Sequence, residues 1–200
     1  MSGVRFAVLR HAPTAWNAEG RLQGLSDTSL SPEGEAAARS WRLPAPADGW
    51  KRLSSPLQRA RRTAELLQPA AAVTVCSALR EMSFGVWEGR TLAELRATGG
   101  AAFAAAEDAG LDFQPPGGES PRTAMVRIGR WAADLARAGE PVAAVSHKAT
   151  IRALLALATG WNMLGRPPHK LDWRSLHFFI ARPDGTVVVD RLNVPFERAS

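Results

Sequence analysis

Two histidines follow short apolar runs, and one of them has an arginine directly before it. Arg10 and His11 come after the run Val4–Leu9, and His147 comes after Pro141–Val145. The planar guanidinium of arginine can donate two hydrogen bonds at once to a phosphate, and nearby positive charge lowers the pKa of an imidazole. An imidazole that stays neutral at pH 7 can act as a nucleophile. These residues indicate either an anion-binding reaction centre or two histidines that are merely structural or exposed.

Two further side chains could complete such a centre. Arg59 lies near the start of a predicted helix that also carries Arg62, and Glu81 lies farther along the chain. A carboxylic acid beside a bound phosphate has a raised pKa, which suits a general acid. Arg59 and Arg62 are three residues apart and share a helix face, so periodicity alone leaves either one as the phosphate ligand. A solvated arginine-rich face is the ordinary alternative.

Short apolar segments alternate along the chain with segments of helical spacing. Strands are predicted at Val4–Leu9, Lys51–Ser54, Val73–Cys76, Pro141–Val145, Leu176–Ala181 and Thr186–Arg191. Helices are predicted at Pro32–Trp41, after Ser55-Pro56 to Leu67, at Leu92–Glu107, Arg122–Ala138 and Ala149–Thr159. Ser31-Pro32 and Ser55-Pro56 each supply a capping serine followed by proline at the first helical position. Asp184-Gly185 is a hairpin signal.

This alternation predicts an α/β fold, a three-layer sandwich in which helices cover both faces of a mostly parallel central sheet. The 200 residues fit a single domain over residues 1–200. In such sheets ligands bind beyond the carboxyl ends of the strands. His11 and His147 both lie just past a predicted strand, which favours the reaction centre over the structural reading.

Composition narrows the classes of partner. The net charge of +6 comes mostly from arginine, because Lys51, Lys148 and Lys170 are the only lysines, and it favours anionic ligands. The basic residues are scattered and the tryptophans do not alternate with them, so no nucleic-acid partner is predicted. Cys76 is the only cysteine, which excludes an internal disulfide and fits a reducing compartment.

Targeting and membrane signals are missing from the sequence. The apolar run Phe6–Leu9 is too short for a signal peptide, and nothing approaches the roughly 18 apolar residues that span a bilayer. No closely spaced set of histidine, cysteine and aspartate predicts a metal site. We therefore expect a cytoplasmic protein that has no membrane partner and binds a small phosphorylated molecule.

Four ordered sequence blocks resemble the histidine phosphatase superfamily, also called the phosphoglycerate mutase-like family. The blocks are Arg10-His11 with Thr14, Asn17, Gly20-Arg21 and Gln23-Gly24; Ser54–Ala60 with Thr63-Ala64; Leu79-Arg80-Glu81 with Phe84–Gly89; and Val145-Ser146-His147 with Ile151-Arg152. Gly118-Glu119-Ser120 matches a further landmark of the family. Blocks in this order across roughly residues 5–155 are far more specific than an Arg-His pair.

The resemblance implies a phosphatase of the histidine acid type that acts on a small phosphorylated metabolite. His11 would be the nucleophile that carries the phosphoryl group. Arg10, Arg59 and His147 would hold the phosphoryl oxygens, while Glu81 would protonate the leaving oxygen and later activate water. The residues on the substrate side would be Thr14, Asn17, Gln23 and Gly24. Phosphoryl transfer depends chiefly on positioning and charge, so this set needs no metal and no organic cofactor.

The chain departs from the family pattern after each histidine. Ala12-Pro13 follow His11, where the family usually has glycine and then an acidic or polar residue, and Pro13 lacks an N–H to donate. Lys148-Ala149 replace the usual glycines after His147. The Lys148 ammonium group lies either near the pocket or in solvent.

Two rival functions stay open at this level. Within the family, a cofactor-dependent mutase would move phosphate between hydroxyls of a glycolytic acid, although such mutases usually carry a longer insertion after the acid block. Outside it, a non-catalytic module could bind phospho-ligands or nucleic acid, although the nucleophile and acid argue against that. Candidate substrates are sugar phosphates, nucleotide-like phosphates such as ribazole phosphate, and phosphoproteins.

Overall fold

The computed structural model of the protein describes residues 3–67 and 71–198. The helices are α1 (Ala15–Ala18), α2 (Pro32–Ser40), α3 (Gln58–Leu67), α4 (Leu92–Glu107), α5 (Pro121–Ala138) and α6 (Lys148–Thr159). The strands are β1 (Val4–Arg10), β2 (Trp41–Arg42), β3 (Lys51–Ser54), β4 (Val73–Val75), β5 (Val142–Ser146), β6 (Ser175–Ala181), β7 (Val187–Pro195) and β8 (Glu197–Arg198). None of these helices is both long and apolar enough to cross a membrane.

The central sheet has six strands in the order β4-β3-β5-β1-β6-β7. β4, β3, β5 and β1 run parallel, while β6 and β7 extend the sheet in antiparallel fashion. β1 lies near the centre, with Arg10 opposite Ser146 of β5. The predicted mostly parallel sheet is confirmed, and its antiparallel edge is the predicted hairpin around Asp184-Gly185. The ribbon that β2 forms with β8 was not predicted.

Both faces of the sheet are covered, as alternate residues of β1 demonstrate. Phe6 and Val8 belong to a core that includes buried residues of α5 and α6. Ala7 and Leu9 belong to a second core that includes buried residues of α3. A strand that is buried on both faces reads as a continuous apolar run, which is the pattern of Val4–Leu9. The three-layer α/β sandwich is confirmed.

Two of the helix starts test the capping prediction. At α2, Pro32 is the first residue and the Ser31 hydroxyl accepts the N–H of Gly34 at 3.1 Å, as predicted. At α3 the prediction was wrong, because the helix begins only at Gln58. The Ser55 hydroxyl lies 2.7 Å from Nε2 of His147, so a partner distant in sequence holds it.

The chain between Glu81 and Pro121 is irregular apart from α4. α4 has the predicted bounds but is kinked at Gly100, where φ is 53°. Gly85 has φ of +52°, and a Cβ there would collide with the carbonyl of Pro116. This close approach, with the N–H of Val86 donating to Pro116 at 3.1 Å, packs the chain before α4 against the chain that precedes α5.

Candidate active site

The carboxyl ends of β1, β3 and β5 meet at one edge of the sheet. His11 N–H donates to the carbonyl of Ser146, and Ser55 N–H donates to the carbonyl of Val145, both at 3.0 Å. These bonds hold the residues that immediately follow β1 and β3 against β5. The rings of His11 and His147 consequently lie close together, with centroids 5.2 Å apart. The two histidines therefore share the edge where ligands bind in folds of this kind.

The environment of His11 defines its protonation. Its Nδ1 lies 2.7 Å from the Ala12 carbonyl, and because a carbonyl only accepts, Nδ1 carries the ring proton. Burial holds the pKa of His11 well below its usual 6.5, and the charges of Arg10 and Arg59 lower it further. The ring is therefore a neutral imidazole whose Nε2 keeps its lone pair.

His147 is fully buried and is held by Ser55. The Ser55 hydroxyl accepts the N–H of Leu57 at 3.3 Å, so its own proton is free to be donated to Nε2 of His147, which leaves the ring proton on Nδ1. Burial lowers the pKa of His147 well below 6.5, and the charges of Arg59 and Arg10 lower it further. Its buried Nδ1 has no hydrogen-bond partner within the described residues. Buried donors rarely stay unpaired, so this one suits a bound ligand.

Arg10 and Arg59 add further donors of the same kind. Arg59 is fully buried and donates to the carbonyls of Ser26 at 2.8 Å and Gly24 at 2.7 Å. The Nε atoms of both arginines are buried and find no partner in the described part of the chain. Burial lowers the pKa of each, and the charge of Glu81 opposes that shift, yet a guanidinium remains protonated in proteins. Such unpaired charged donors fit an oxyanion.

The ambiguity between Arg59 and Arg62 is decided by α2. Arg62 forms an ion pair with Glu35 of α2 at 3.0 Å and another with Glu65 at 3.5 Å, and its side chain is 43% exposed. Arg59, on the same helix, lines the cavity described below. The packing of α2 against α3 thus engages Arg62, while Arg59, the residue that the family block indicates, is left to the cavity.

Glu81 lies at the amino-terminal end of α6. Its Oε1 accepts the N–H groups of Met82 at 2.9 Å and Thr150 at 3.1 Å, and its Oε2 accepts the N–H of Ala149 at 3.2 Å. The N-cap residue of α6, His147, makes no side-chain capping bond, so Glu81 caps this helix from outside. The positive end of the helix dipole stabilises a carboxylate there. The bonds fix the orientation of the carboxyl group at the cavity wall.

The loop after His11 is held by side-chain hydrogen bonds. The Thr14 hydroxyl caps α1 by accepting the N–H of Asn17 at 3.2 Å, and it donates to Oε1 of Gln23 at 3.2 Å. Thr28 donates to the same oxygen at 2.6 Å. Two donors on Oε1 leave the amide N–H groups of Gln23 free to face the cavity. Thr14 itself is buried behind Gln23 and does not line the cavity, contrary to the substrate-side position that the family block predicts.

Gly24 is a position where glycine is required. Its φ is +54°, and a Cβ there would collide with the carboxylate of Glu88. Glu88 accepts the N–H groups of Leu25 at 2.9 Å and Ser26 at 2.8 Å. Burial raises the pKa of Glu88, but these bonds and one from Phe84 outweigh it and lower the pKa overall. Glu88 is thus ionised, and its carboxylate accepts hydrogen bonds from the backbone of both Leu25-Ser26 and Phe84.

These elements enclose a cavity of about 510 Å³. The residues predicted from sequence that line it are Arg10, His11, Asn17, Gln23, Gly24, Arg59 and Glu81. Its apolar wall includes Trp16, Leu22, Met82, Phe84, Leu92, Phe113 and Met163. His147 lies beneath this surface, in ring contact with His11. The cavity therefore combines cations, a neutral imidazole and a carboxylate with an apolar wall.

Ala12-Pro13, which differ from the family pattern after His11, are accommodated by packing. Ala12 lies in a small core with Ala38 of α2 and Leu66 of α3. The Pro13 carbonyl accepts the N–H of Ser31 at 3.0 Å, and Gly34 approaches it so closely that a Cβ would collide. Pro13 thus attaches the loop to the start of α2, while Ala12 attaches it to the end of α2 and to α3.

Lys148 and Arg152 also line the cavity, where Lys148 is exposed to solvent as well. The Lys148 Nζ lies 5.7 Å from the ring centroid of Trp173, and the Arg152 Cζ lies 4.8 Å from that of Trp161. Sequence reasoning assigned Arg152 no role. The available signal was spacing, because residues four apart share a helix face.

Residues 3–67 and 71–198 contain no group of three or more histidine, cysteine and acidic side chains that could hold a metal ion.

Comparison with known proteins gives the same family that the ordered sequence blocks resemble. The sequence profile of the histidine phosphatase superfamily (branch 1) matches residues 6–194. The 2-carboxy-D-arabinitol-1-phosphatase of Triticum aestivum is 34% identical over 161 residues, which are 78% of this chain and 32% of that protein. An Escherichia coli O1:K1 / APEC protein named "Probable phosphoglycerate mutase GpmB" is 41% identical over 91 residues, 44% of this chain and 42% of that protein. The matches thus span less than half of these curated relatives.

A solved structure extends the similarity to nearly the whole chain. Mycobacterial glucosyl-3-phosphoglycerate phosphatase, solved with VO3, is 28% identical, with a TM-score of 0.72. The match covers 96% of this chain and 99% of that one. The fold of this chain therefore has a counterpart of nearly the same length.

Proposed function

The chain belongs to the histidine phosphatase superfamily (branch 1), and on that premise we propose that it is a phosphomonoesterase that works through a phosphohistidine on His11. One observation carries the proposal. A neutral His11 with a free Nε2 lies among unpaired buried donors of Arg10, Arg59 and His147. A phosphoryl group placed there would face a nucleophile and would satisfy the donors.

The first half of the reaction transfers the phosphoryl group to the enzyme. Nε2 of His11 attacks phosphorus, the bond from phosphorus to the ester oxygen breaks, and Glu81 gives its proton to the departing oxygen. Arg10 and Arg59 stabilise the charge on the non-bridging oxygens, which is the main source of catalysis in phosphoryl transfer. The products are an alcohol and a phosphohistidine.

The second half clears the phosphoenzyme. Glu81, now a carboxylate, takes a proton from a water molecule whose oxygen attacks phosphorus. The bond from phosphorus to Nε2 breaks, and the electron pair returns to the ring of His11. Inorganic phosphate leaves, and Glu81 is again protonated for the next cycle. The arginines and His147 supply the charge that a metal would otherwise provide, so the proposal includes no metal and no cofactor.

The pKa of His11 supports the acid-type assignment. Because burial and neighbouring cations hold this pKa well below 6.5, the nucleophile stays unprotonated in mildly acidic solution. The substrate is a small phosphorylated metabolite, as the names of the wheat and mycobacterial phosphatases suggest. A single domain over residues 1–200 and a cytoplasmic location stay predictions from the sequence.

Mutase activity is the second candidate, favoured by the name of the Escherichia coli relative. A mutase would pass the phosphoryl group from His11 to a hydroxyl of an acid instead of to water. Release of inorganic phosphate without an added bisphosphate would separate the two activities.

Rapid quench with a ³²P-labelled phosphomonoester tests the proposal. We expect an acid-labile, base-stable label on His11 that forms faster than phosphate is released, and none in His11→Asn. Label on another residue, or full turnover by His11→Asn, would refute the phosphohistidine mechanism.

A further inference from the structure

The cavity contains more positive charge than one phosphoryl group needs. Arg10, Arg59, Lys148 and Arg152 all line it, and none forms an ion pair with a carboxylate at 4.0 Å or less within the described residues. Arginines elsewhere are commonly paired, as Arg5 is with Asp190. Arg10 and Arg59 are accounted for by the reacting phosphoryl group. Lys148 and Arg152 have no role in the proposed reaction, so their charges are unexplained by it.

The acidic residues of the cavity do not neutralise this pair. Glu81 is engaged by the N–H groups of Met82, Ala149 and Thr150. Glu107 also lines the cavity but is bound by two nitrogens of Arg96, at 3.0 and 2.6 Å. An anion entering the cavity would therefore meet two cations, Lys148 and Arg152, that form no ion pair with a carboxylate of the described residues.

Lys148 and Arg152 are placed together by α6. They are four residues apart, so their side chains share one face of the helix. Each cation rests on an aromatic ring, Lys148 on Trp173 and Arg152 on Trp161. Such contacts hold a cation in place while leaving its hydrogen-bond donors available.

A structural role does not explain Lys148. It is the first residue of α6, where the positive end of the helix dipole disfavours a cation. Burial lowers the pKa of its ammonium group, and the charges of Arg10 and Arg152 lower it further, against the opposing charge of Glu81. Its position is therefore electrostatically unfavourable until an anion binds beside it.

We infer that Lys148 and Arg152 form a second anion subsite, so that the preferred substrate is a phosphomonoester carrying a second anionic group, a carboxylate or another phosphoryl. The inference rests on the proposed phosphatase function, because it assigns the reacting phosphoryl group to Arg10 and Arg59. The apolar wall between Trp16 and Phe113 would contact the part of the substrate that joins the two anions.

Competition against hydrolysis of p-nitrophenyl phosphate tests the subsite with matched pairs of ligands. 3-Phosphoglycerate and glycerol 3-phosphate differ in having a carboxylate or a hydroxymethyl group. Propane-1,3-diol bisphosphate and 3-hydroxypropyl phosphate differ in a second phosphoryl group. We expect the doubly anionic member of at least one pair to show an inhibition constant about ten- to a hundredfold lower, the effect of one or two charge-assisted contacts. The pair with the larger ratio identifies the second group.

Substitutions then assign the effect to the two cations. Lys148→Gln and Arg152→Gln should each lower the ratio of the two inhibition constants by about tenfold. Lys148→Arg keeps the positive charge and should keep the ratio of the wild type. Lys170→Gln is the matched control, since it makes the same change of charge at an exposed lysine outside the cavity. Thermal melting of each variant verifies folding.

Two results would overturn the inference, and they differ from a failure of the proposed function. Ratios near one in the wild type, or ratios unchanged in both glutamine variants while p-nitrophenyl phosphate is still hydrolysed, would refute the subsite and leave the phosphatase intact. Absence of both hydrolysis and a His11 label would refute the phosphatase itself.

Discussion

Replacing Glu81 by glutamine is the most informative perturbation of the proposed mechanism. The variant keeps the shape of the side chain and one oxygen acceptor but removes the transferable proton. An alkoxide that leaves from a sugar or alkyl phosphate is strongly basic and requires that proton. A nitrophenolate is weakly basic and leaves with little help. The loss should therefore depend on the leaving group.

Glu81→Gln should have two separate effects, one on the rate of phosphorylation and one on the free energy of unfolding. General acid catalysis is typically worth about a hundred- to ten-thousandfold, so phosphorylation of His11 by an alkyl phosphate should slow by that factor and by p-nitrophenyl phosphate far less. Glu81 also caps α6 through Ala149 and Thr150. Losing one acceptor there should lower the free energy of unfolding by about 1 kcal/mol, which a domain of ordinary stability tolerates.

The assay is the pre-steady-state burst with both substrates. Steady-state rates would mix the two roles of Glu81, because it is also proposed to activate the water that clears the phosphoenzyme. Urea unfolding of the same variant measures the capping effect separately.

Glu88→Gln is the matched control. Glu88 accepts hydrogen bonds from Leu25 and Ser26 and does not line the cavity, so its loss should slow the burst for both substrates alike. Equal slowing of both substrates in Glu81→Gln would contradict the proton-donor role. Leaving-group dependence in Glu88→Gln instead would make Glu88 the next candidate.

Further tests address the phosphate ligand, the metal requirement and stability. Arg59→Ala should lower kcat/KM about ten- to a hundredfold, whereas Arg62→Ala should change it little, because exposed ion pairs contribute roughly 0–1 kcal/mol; a larger loss in Arg62→Ala would contradict the site. Turnover should persist in excess EDTA, and its loss with rescue only by a divalent ion would indicate a metallophosphatase. Burial lowers the pKa of His177 from 6.5 to about 4, against the opposing charge of Asp172. Folding therefore favours neutral His177, a contribution present above pH 6.5 and lost as pH falls toward 4, about 3 kcal/mol in all. Urea titrations should show a smaller acid loss in His177→Asn; an equal loss would show that His177 does not drive it.

The elements of this fold were largely predictable because their signals are local. The apolar run of β1, the serine and proline that start α2, and the Asp184-Gly185 hairpin each act within a few residues. The start of α3 was mispredicted because the hydroxyl of Ser55 is bound to His147, a contact that no local pattern contains.

For the site, the sequence by itself determined which residue types carry the chemistry, since ordered blocks matched a family and each histidine followed a strand. Only tertiary packing decided where each side chain lies. The side chains of α2 pair with Arg62 and leave Arg59 to the cavity, and Thr14 is turned inward to hold Gln23. Lys148 contacts the ring of Trp173, which lies far along the chain. Spacing defines a face of a helix, but the chemistry of that face depends on elements that fold against it from elsewhere in the sequence.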